Sequence, residues 1–431
     1  MQKFKLLPIT VAVAASLASL SSFAAETDLA ALEQRILELE SQVGDIKYVD
    51  DQQQAVLTAE TNVPDGIVFS GYARYGAHYK SGDERYVDIG TTGRSVGRLG
   101  NEANGGEVQL AKLFEADNGA IWDIVFMADH WEADAWADDG GLSMKKMYAG
   151  VTNVFESQPE LYMWAGRDFH QRPQQGLNDY FWMTHDGQGA GFNNLDFGGA
   201  KLDMGFVGQV KGGLVNDNGR YAITSKLHSI NAGIGQLDLY ANYGFASDEA
   251  DVAGDPKVSD ETAYLVGATL GLGESNKLVV KYGDGADSSV YDLKGDYQTL
   301  YASVEGSYAA SEQFIIDYLV SYKDNSGSDL DRENTEYAGI VRPQYQWDDV
   351  HSTWLEAGYG MVDYDDDGEE NAWKVTLSQN VSLGGLPWSR PMLRFYTTVG
   401  DVETKGNTVK TTNVDTLSFG AMFEAWWGFV A

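Results

Sequence analysis

The chain has 431 residues, a formal net charge of −34 and no cysteine. Such acidity excludes a nucleic-acid-binding protein, which needs a basic surface to neutralise phosphates, and the lack of cysteine excludes disulfides and thiolate catalysis. Glycine is abundant at 49 residues, proline is scarce at 8, and Trp, Tyr and Phe number 11, 24 and 17. This composition favours many twisted antiparallel strands.

Residues 1–24 predict a secretory signal peptide. They contain a lysine-bearing start, a mostly apolar stretch over residues 6–20, and small residues at Ser22 and Ala24. Beyond them no apolar run reaches the roughly 18 residues that a membrane helix needs. Two hypotheses therefore remain for the exported chain, a soluble protein and a transmembrane β-barrel, whose alternating strands give a weak hydropathy signal.

Residues 25–48 predict a short coiled coil. Apolar side chains recur there at alternating spacings of three and four, at Leu29, Leu32, Ile36, Leu39, Val43 and Ile46. The pattern indicates self-association, with side chains that favour a dimer unless the following domain imposes another geometry. An amphipathic helix packed on its own domain is the alternative. Residues 49–65 read as a polar linker, and residues 66–431 as the main domain.

The main domain reads as strand after strand. Apolar and polar side chains alternate over residues 67–79, 121–131 and 417–427, each about ten residues long. Similar segments recur between turns rich in Asp, Asn and Gly, which predicts sixteen to eighteen strands. One apolar and one polar face over such lengths is typical of a transmembrane barrel. A soluble β-sandwich or solenoid would also alternate, although no clean 20–50-residue repeat is present.

Aromatic residues near many strand ends fit the interfacial girdles of a barrel. The sequence assigns to them Tyr75, Tyr79, Trp122, Trp347, Trp354, Trp426 and Trp427.

Four aromatic residues share the parity of charged neighbours and are expected to face the lumen: Tyr72, Trp131, Trp388 and Trp426, the last of which is also one of the strand-end aromatics. An apolar ring in a water-filled pore suits a solute with both apolar faces and hydroxyl groups, such as a sugar. A one-residue slip in register would turn any of these rings outward. The segment from Trp164 to Phe192 reads as a strand followed by a long glycine-containing loop, which could fold inward and narrow the pore.

Several motifs resemble the maltoporin family of sugar-specific porins. They are GYAR at 71–74, RLGNE at 98–102, WAGRDFHQR at 164–172, NDYFW at 178–182, GAGFNN at 189–194, WSRP at 388–391 and FGAMFEAWW at 419–427. The resemblance implies an all-β, 18-stranded antiparallel barrel in the outer membrane, forming a homotrimer in lipid. It also implies facilitated diffusion of maltose and maltodextrins, with no cofactor and no chemical step.

The resemblance also implies roles for single residues. The sugar would slide along the aromatic residues Tyr72, Trp131, Trp388 and Trp426, with Trp131 reaching into a neighbouring subunit's pore. A polar track and constriction would comprise Arg74, Arg98, Glu107, Lys145, Arg172, Asp179 and Phe181.

The chain departs from the family pattern at several points. Asn104-Gly105-Gly106 stands where the family has a slide tyrosine, Phe181 replaces a constriction tyrosine, and Lys145 replaces a common arginine. Residues 428–431 extend past the usual aromatic end, and the coiled coil resembles that of sucrose-type porins. A non-specific porin, or a porin for another sugar such as sucrose or β-glucosides, is therefore the alternative.

Two segments resemble other kinds of site. Asp363 begins a stretch like a calcium-binding loop, but its twelfth position is Lys374 rather than glutamate. His170 beside Asp168 suggests acid–base chemistry, yet the sequence has no nucleophile motif such as G-x-S-x-G. We therefore expect neither a metal site nor an enzyme, with a barrel phospholipase as the rival class.

Overall fold

The computed structural model describes residues 66–82, 86–132, 141–210, 217–251, 257–273, 275–406 and 412–428. The predicted signal peptide, coiled coil and linker lie outside these residues, as does the end of the C-terminal extension. The described residues form one short 3₁₀ helix, Asp248–Ala250, and twenty strands. The strands are β1 Val68–Gly82, β2 Asn104–Glu115, β3 Ile121–Glu132, β4 Ser143–Thr152, β5 Tyr162–Asp168, β6 Gln174–Gln175, β7 Tyr180–Phe181, β8 Gly187–Asp196, β9 Lys201–Val210, β10 Asp217–Asn231, β11 Gln236–Ala246, β12 Thr262–Leu272, β13 Asn276–Asp284, β14 Gln298–Ala309, β15 Phe314–Ser326, β16 Asn334–Gln346, β17 His351–Tyr364, β18 Gly368–Ser382, β19 Met392–Lys405 and β20 Thr412–Trp427.

Eighteen of these strands form one closed antiparallel barrel. Each pairs with the next along the chain, and β1 pairs with β20 from Gly71↔Trp427 to Gly82↔Thr416, which closes the sheet. β6 and β7 form a separate hairpin inside the connection between β5 and β8. The predicted 18-stranded all-β fold is confirmed.

No helix among the described residues is long and apolar enough to span a membrane.

The predicted alternation of strand faces is present. On β20, Leu417, Phe419 and Phe423 are exposed on the outer wall, whereas Ser418 and Glu424 are buried inside. The outer face is therefore apolar enough for lipid, and polar side chains are directed into the lumen.

The assignment of Trp354 to the aromatic girdle is wrong. Trp354 lies on the inner face of β17, is 2 % exposed, and packs with Leu99 and Met392. The sequence pattern misassigned it because alternation alone does not reveal that Leu99 folds back from a loop to cover an apolar side chain in the lumen.

The structure also corrects the segment Gly187–Phe192, for which the sequence predicts a loop, because it forms the first part of β8. Its glycines 187, 189 and 191 lie so close to β9 that a Cβ atom on Gly189 would be 1.9 Å from the carbonyl oxygen of Phe206. The glycines here permit close strand packing rather than a turn.

Three connections fold into the barrel: inner loop A (residues 86–103), inner loop B (residues 169–186) and inner loop C (residues 285–297). Loop A lies against β16, β17 and β19 through polar contacts of 2.6–2.8 Å, which join Thr91 to Glu336, the Leu99 amide to Glu356, and Glu102 to Arg394. Since each charged partner is buried, these pairings hold the loop to the wall.

Loops B and C fill the opposite part of the lumen with an apolar core. Trp182 of loop B is fully buried and packs edge-on against Tyr240 of β11, with 5.4 Å between ring centroids. Loop C contributes Val290, also fully buried, whose amide donates to His185 of loop B at 3.2 Å. This filling covers the middle of the inner faces of β9 to β14, where Val207, Tyr240 and Tyr301 are buried.

An arginine on the lipid face is expected to destabilise the barrel. Leu377 lies on the outer face near the middle of β18 and is 52 % exposed. Leu377→Arg should lower the free energy of unfolding by about 2–4 kcal/mol, measured by denaturant titration in phospholipid vesicles. Leu377→Ala is the control for lost side-chain volume, and an equal loss in both variants would contradict a lipid-facing position.

Candidate functional site

Three inward aromatic rings meet on one side of the lumen. Strand pairing at the closure places Tyr72 of β1 directly opposite Trp426 of β20. The ring of Trp131, at the end of β3, stacks on the ring of Tyr72 with 6.1 Å between centroids and 25° between planes. Trp131 is exposed, and Tyr72 and Trp426 are half-buried. Together they form an aromatic face across the closure of the barrel.

A buried carboxylate fixes this face from behind. The hydroxyl of Tyr72 donates to Glu424 Oε1 at 2.7 Å, and Arg390 Nε donates to Glu424 Oε2 at 3.0 Å. Arg98 and Arg394 also pair with Glu424, at 3.4 and 3.6 Å. Alternation over residues 417–427 puts Glu424 on the polar face of its strand, but its shared pairing depends on barrel closure and on inner loop A, which no local pattern shows.

The charged residues of β2, β3 and β4 continue the wall from the aromatic face. In the sheet, Glu107 of β2 lies directly opposite Tyr72 of β1 on one side and Asp129 of β3 on the other. On β4 the register with β3 shifts at Lys145, and its ammonium group pairs with Asp129 at 3.4 Å. A bulge at this point re-aims the lysine side chain toward the lumen carboxylates.

Inner loop B provides an arginine held by two phenyl rings. The guanidinium carbon of Arg172 lies 4.2 Å from the ring centroid of Phe169 and 4.1 Å from that of Phe181. Its Nη1 atom lies 3.5 Å from a carboxylate oxygen of Asp186, a residue that the sequence did not single out as a site residue. The replacement of a tyrosine by Phe181 therefore removes a hydroxyl, but the ring still orients a cation by its face.

A second ion pair ties loop B to the barrel wall beside the aromatic face. Arg74 Nη2 lies 2.8 Å from Asp179 Oδ2, and Gln174 donates to the other oxygen of Asp179. The amide of Arg98 donates to the carbonyl of Leu177 at 2.9 Å, so inner loops A and B contact each other. Loop B is thus fixed both to β1 and to loop A.

Most of the predicted site residues lie close together in the structure. Tyr72, Trp131 and Trp426 form the aromatic face, and the charged residues predicted for the polar track line the wall or the inner loops around it. Trp388 stands apart on the turn between β18 and β19. Arg390 of the same turn lies 4.3 Å from the ring centroid of Trp426.

The sequence profile of the LamB porin family matches residues 67–427, which is nearly the whole barrel domain. The chain belongs to the LamB porin family. It is therefore an outer-membrane porin whose barrel crosses the membrane many times, and the expectation that it is a channel rather than an enzyme is confirmed by its family.

Solved porin structures share a more distant likeness with this LamB-family porin. OccK10 (OpdN) of Pseudomonas aeruginosa is 11% identical, with coverage of 84% of this chain and 99% of that chain and a TM-score of 0.49. The anion-selective porin of Comamonas acidovorans is 11% identical, with 84% and 99% coverage and a TM-score of 0.39. The trimer form of OmpT of Vibrio cholerae is 12% identical, with 84% and 99% coverage and a TM-score of 0.36.

The histidine that suggested acid–base chemistry is a packing residue of the porin. His170 Nε2 lies 2.6 Å from Thr224 Oγ1, and its ring packs against Trp164. Burial lowers the pKa of His170 to about 4, so the ring is neutral near pH 7. In the part of the chain that the structure describes, no group of three His, Asp or Glu residues is arranged to hold a metal ion.

The Arg74–Asp179 pair predicts a pH-dependent constriction. Burial alone would raise the pKa of Asp179, but the charges of Arg74 and Arg98 outweigh it and hold the pKa below its ordinary value. The stabilisation from the pair is therefore fully present above the unfolded pKa of about 3.9 and is lost as the pH falls through the lower folded value. Asp179→Asn should produce at pH 7 the larger single-channel current fluctuations that the unmodified porin shows only below about pH 4.

A matched control for this experiment is Asp366→Asn. Asp366 pairs with Arg332 at 2.6 Å in an exposed loop, far along the chain from the constriction, and its substitution should leave the current fluctuations unchanged. Equal fluctuations in Asp179→Asn and the unmodified porin at pH 7 would mean that the ion pair does not hold loop B.

Proposed function

We propose that this porin passes maltodextrins across the outer membrane by facilitated diffusion, as a homotrimer. The observation that carries the proposal is the aromatic face of Tyr72, Trp131 and Trp426 beside a wall of paired charges. The family assignment supports a sugar-transporting or general porin, and the aromatic face favours the sugar. The proposal includes the predicted signal peptide over residues 1–24 and coiled coil over residues 25–48.

The aromatic face suits the apolar faces of pyranose rings. A sugar that leaves water loses hydrogen bonds from its hydroxyl groups, at a cost of roughly 1–3 kcal/mol for each unpaired group. Stacking of its C–H face on an aromatic ring offsets part of this desolvation cost, because it removes apolar surface from water. Because Tyr72 and Trp426 are cross-strand neighbours and Trp131 stacks on Tyr72, a sugar could move between rings without leaving the wall.

The charged wall supplies the hydrogen bonds that the sugar hydroxyls need. Hydrogen bonds to charged groups contribute about 1.5–3 kcal/mol each, and the groups here are held by their own ion pairs. Lys145, Arg172 and Asp186 keep roughly a quarter to a third of their side-chain surface, at 34%, 23% and 36%. Transport requires several weak sites rather than one tight site, and this series of partly exposed groups fits that requirement.

The balance of charge favours a neutral solute. The cations near the aromatic face each pair with a carboxylate, as Arg74 does with Asp179, Lys145 with Asp129 and Arg172 with Asp186. A wall of matched charges attracts neither anions nor cations strongly. It therefore favours an uncharged polyol over an ionic substrate.

Maltodextrins are expected to block the ion current of single channels in planar bilayers, in a concentration-dependent manner. Trp426→Ala should weaken the block by maltohexaose about threefold to tenfold, because it removes one stacking ring. The matched control is Trp373→Ala, since Trp373 lies on the lipid face of β18 and is 45 % exposed.

The control Trp373→Ala should leave the block unchanged. No block of the unmodified porin by maltodextrins, sucrose or β-glucosides would support a non-specific porin instead. Block by sucrose or β-glucosides alone would support the aromatic path but would mean that maltodextrins are not the solute.

A further inference from the structure

Two fully buried lysines on the barrel wall share one carboxylate of inner loop C. Lys281 of β13 and Lys323 of β15 have no exposed side-chain surface. Lys281 Nζ lies 3.3 Å from Asp287 Oδ1, and Lys323 Nζ lies 2.9 Å from Asp287 Oδ2. Both lysines lie directly opposite Tyr301 of the intervening strand β14, so they occupy one level of the wall. The three charged residues Asp287, Lys281 and Lys323 are called the Asp287 cluster below.

The Asp287 cluster also contacts the other two inner loops. The ammonium group of Lys323 donates to Thr91 Oγ1 of loop A at 2.6 Å. The ammonium group of Lys281 donates to the hydroxyl of Tyr180 of loop B at 3.4 Å, and to the carbonyl oxygen of Asp287 at 2.9 Å. Because each lysine contacts loop C and one further loop, the cluster joins all three inner loops at one place on the wall.

The wall residues beside the cluster extend these attachments. Glu336 of β16 lies opposite Lys323 and accepts from the hydroxyl of Thr91 at 2.6 Å and from its amide at 2.8 Å. The ring of Tyr301 packs edge-on against the ring of Tyr180, with 5.3 Å between centroids. Loop A is therefore attached by a carboxylate and loop B by an aromatic ring, and the cluster lies between the two attachments.

The hairpin of loop B connects this attachment to the constriction. Tyr180 and Phe181 are adjacent residues of β7, so their side chains point to opposite sides of the hairpin. Tyr180 contacts Lys281 on the wall side, whereas the ring of Phe181 faces the guanidinium group of Arg172 at 4.1 Å. A displacement of Tyr180 from the wall therefore displaces Phe181 as well.

The charge balance of the cluster makes its one carboxylate essential to both lysines. Two buried ammonium groups repel each other, and a buried charge that loses its partner is strongly destabilising. Asp287 contacts both ammonium groups, each through a different carboxylate oxygen. Loss of this carboxylate would free loop C and would also disturb the two lysines that hold loops A and B.

We propose that Asp287, Lys281 and Lys323 are positioning residues that set the width of the path. Through the shared carboxylate, loop C keeps loops A and B in place against the wall and so fixes the constriction, although none of the three residues belongs to the aromatic face or to the predicted polar track. The inference goes beyond the proposed function, because it applies to a sugar-selective porin and to a general porin alike.

The first test is the ion current of single channels in planar bilayers without sugar. Asp287→Asn should raise the frequency of large current fluctuations at least about tenfold, because loss of one partner from a buried ion pair costs more than the free energy of a tenfold shift. Asp287→Glu should return the fluctuations toward those of the unmodified porin, since it restores a carboxylate and the side chain of Asp287 is 19% exposed, which leaves room for one methylene group.

The matched control is Asp296→Asn. Asp296 belongs to the same loop and the change removes the same charge, but its side chain is exposed and accepts from Ser328 at 2.7 Å. This variant should show the fluctuations of the unmodified porin. Equal fluctuations in Asp287→Asn and Asp296→Asn would overturn the inference.

The second test measures the motion of loop B directly with a nitroxide spin label. The chain has no cysteine, so one introduced thiol takes the label, and Gly176→Cys suits it because a Cβ atom there would have no other atom within 4 Å. In Asp287→Asn the label on loop B should become more mobile, although residue 287 lies in loop C. A label at Gly339→Cys on strand β16, where a Cβ atom would also be free of contacts, should keep its mobility. An equal rise at both positions would mean that the whole barrel loosens, which would contradict a positioning role.

Thr91→Val tests the loop A side of the cluster without changing any charge. The valine has nearly the shape of threonine but neither accepts from Lys323 nor donates to Glu336, so the current fluctuations should rise, by less than in Asp287→Asn. Because both changes act through Lys323, the double variant should show less than the sum of the two effects. If Asp287→Asn does not yield a folded barrel, this variant decides the question, and unchanged fluctuations in Thr91→Val would then refute the proposal.

Failure of this inference and failure of the proposed function give different results. If maltodextrins block the unmodified porin and Asp287→Asn leaves the fluctuations and the loop B label unchanged, the sugar-channel proposal stands without the positioning role. If no maltodextrin blocks the unmodified porin while Asp287→Asn raises the fluctuations, the positioning role stands and the sugar-channel proposal fails.

Discussion

Closure of the sheet between β1 and β20 is the constraint on which the rest of the porin depends. In hydrocarbon every backbone N–H and C=O must be paired, so a sheet that spans the membrane cannot leave an open edge. The register of closure places Tyr72 opposite Trp426 and Arg74 opposite Glu424. Residues from the two ends of the barrel sequence thereby become neighbours, and the aromatic face and its buried carboxylate form at the seam.

Closure also creates a lumen that would hold water across its full width if it were left unfilled. The three inner loops fill part of this lumen. Loops B and C cover the middle of the inner faces of β9 to β14 with apolar side chains such as Trp182 and Val290, both fully buried. Loop A is held instead by buried ion pairs, of which Glu102 with Arg394 is one. Since breaking a buried pair leaves an uncompensated charge, these contacts fix the loops against the wall.

Alternation along the strands made the barrel predictable from sequence, together with the faces of residues such as Tyr72, Phe419 and Glu424. The same rule failed where the lumen is apolar. Trp354 looked like a girdle residue because alternation separates two faces without saying which loop covers the inner one. The glycine-rich start of β8 looked like a loop because glycine supports close strand packing as well as turns. Pairings such as Arg74 with Asp179 depend on loop paths that no local pattern encodes.

The strong acidity of the chain is compatible with a path for neutral solutes because the charges occupy different places. Near the aromatic face Asp179, Asp129 and Asp186 are each matched by an arginine or a lysine, at distances of 2.8–3.5 Å. Other acidic residues lie on exposed loops, as in the run from Asp365 to Asp367 between β17 and β18. Fields from such exposed groups are largely screened within about 8 Å at physiological ionic strength. The net charge of this porin therefore reflects its exposed loops. The environment that a solute meets at the aromatic face is set instead by the paired charges and the aromatic rings.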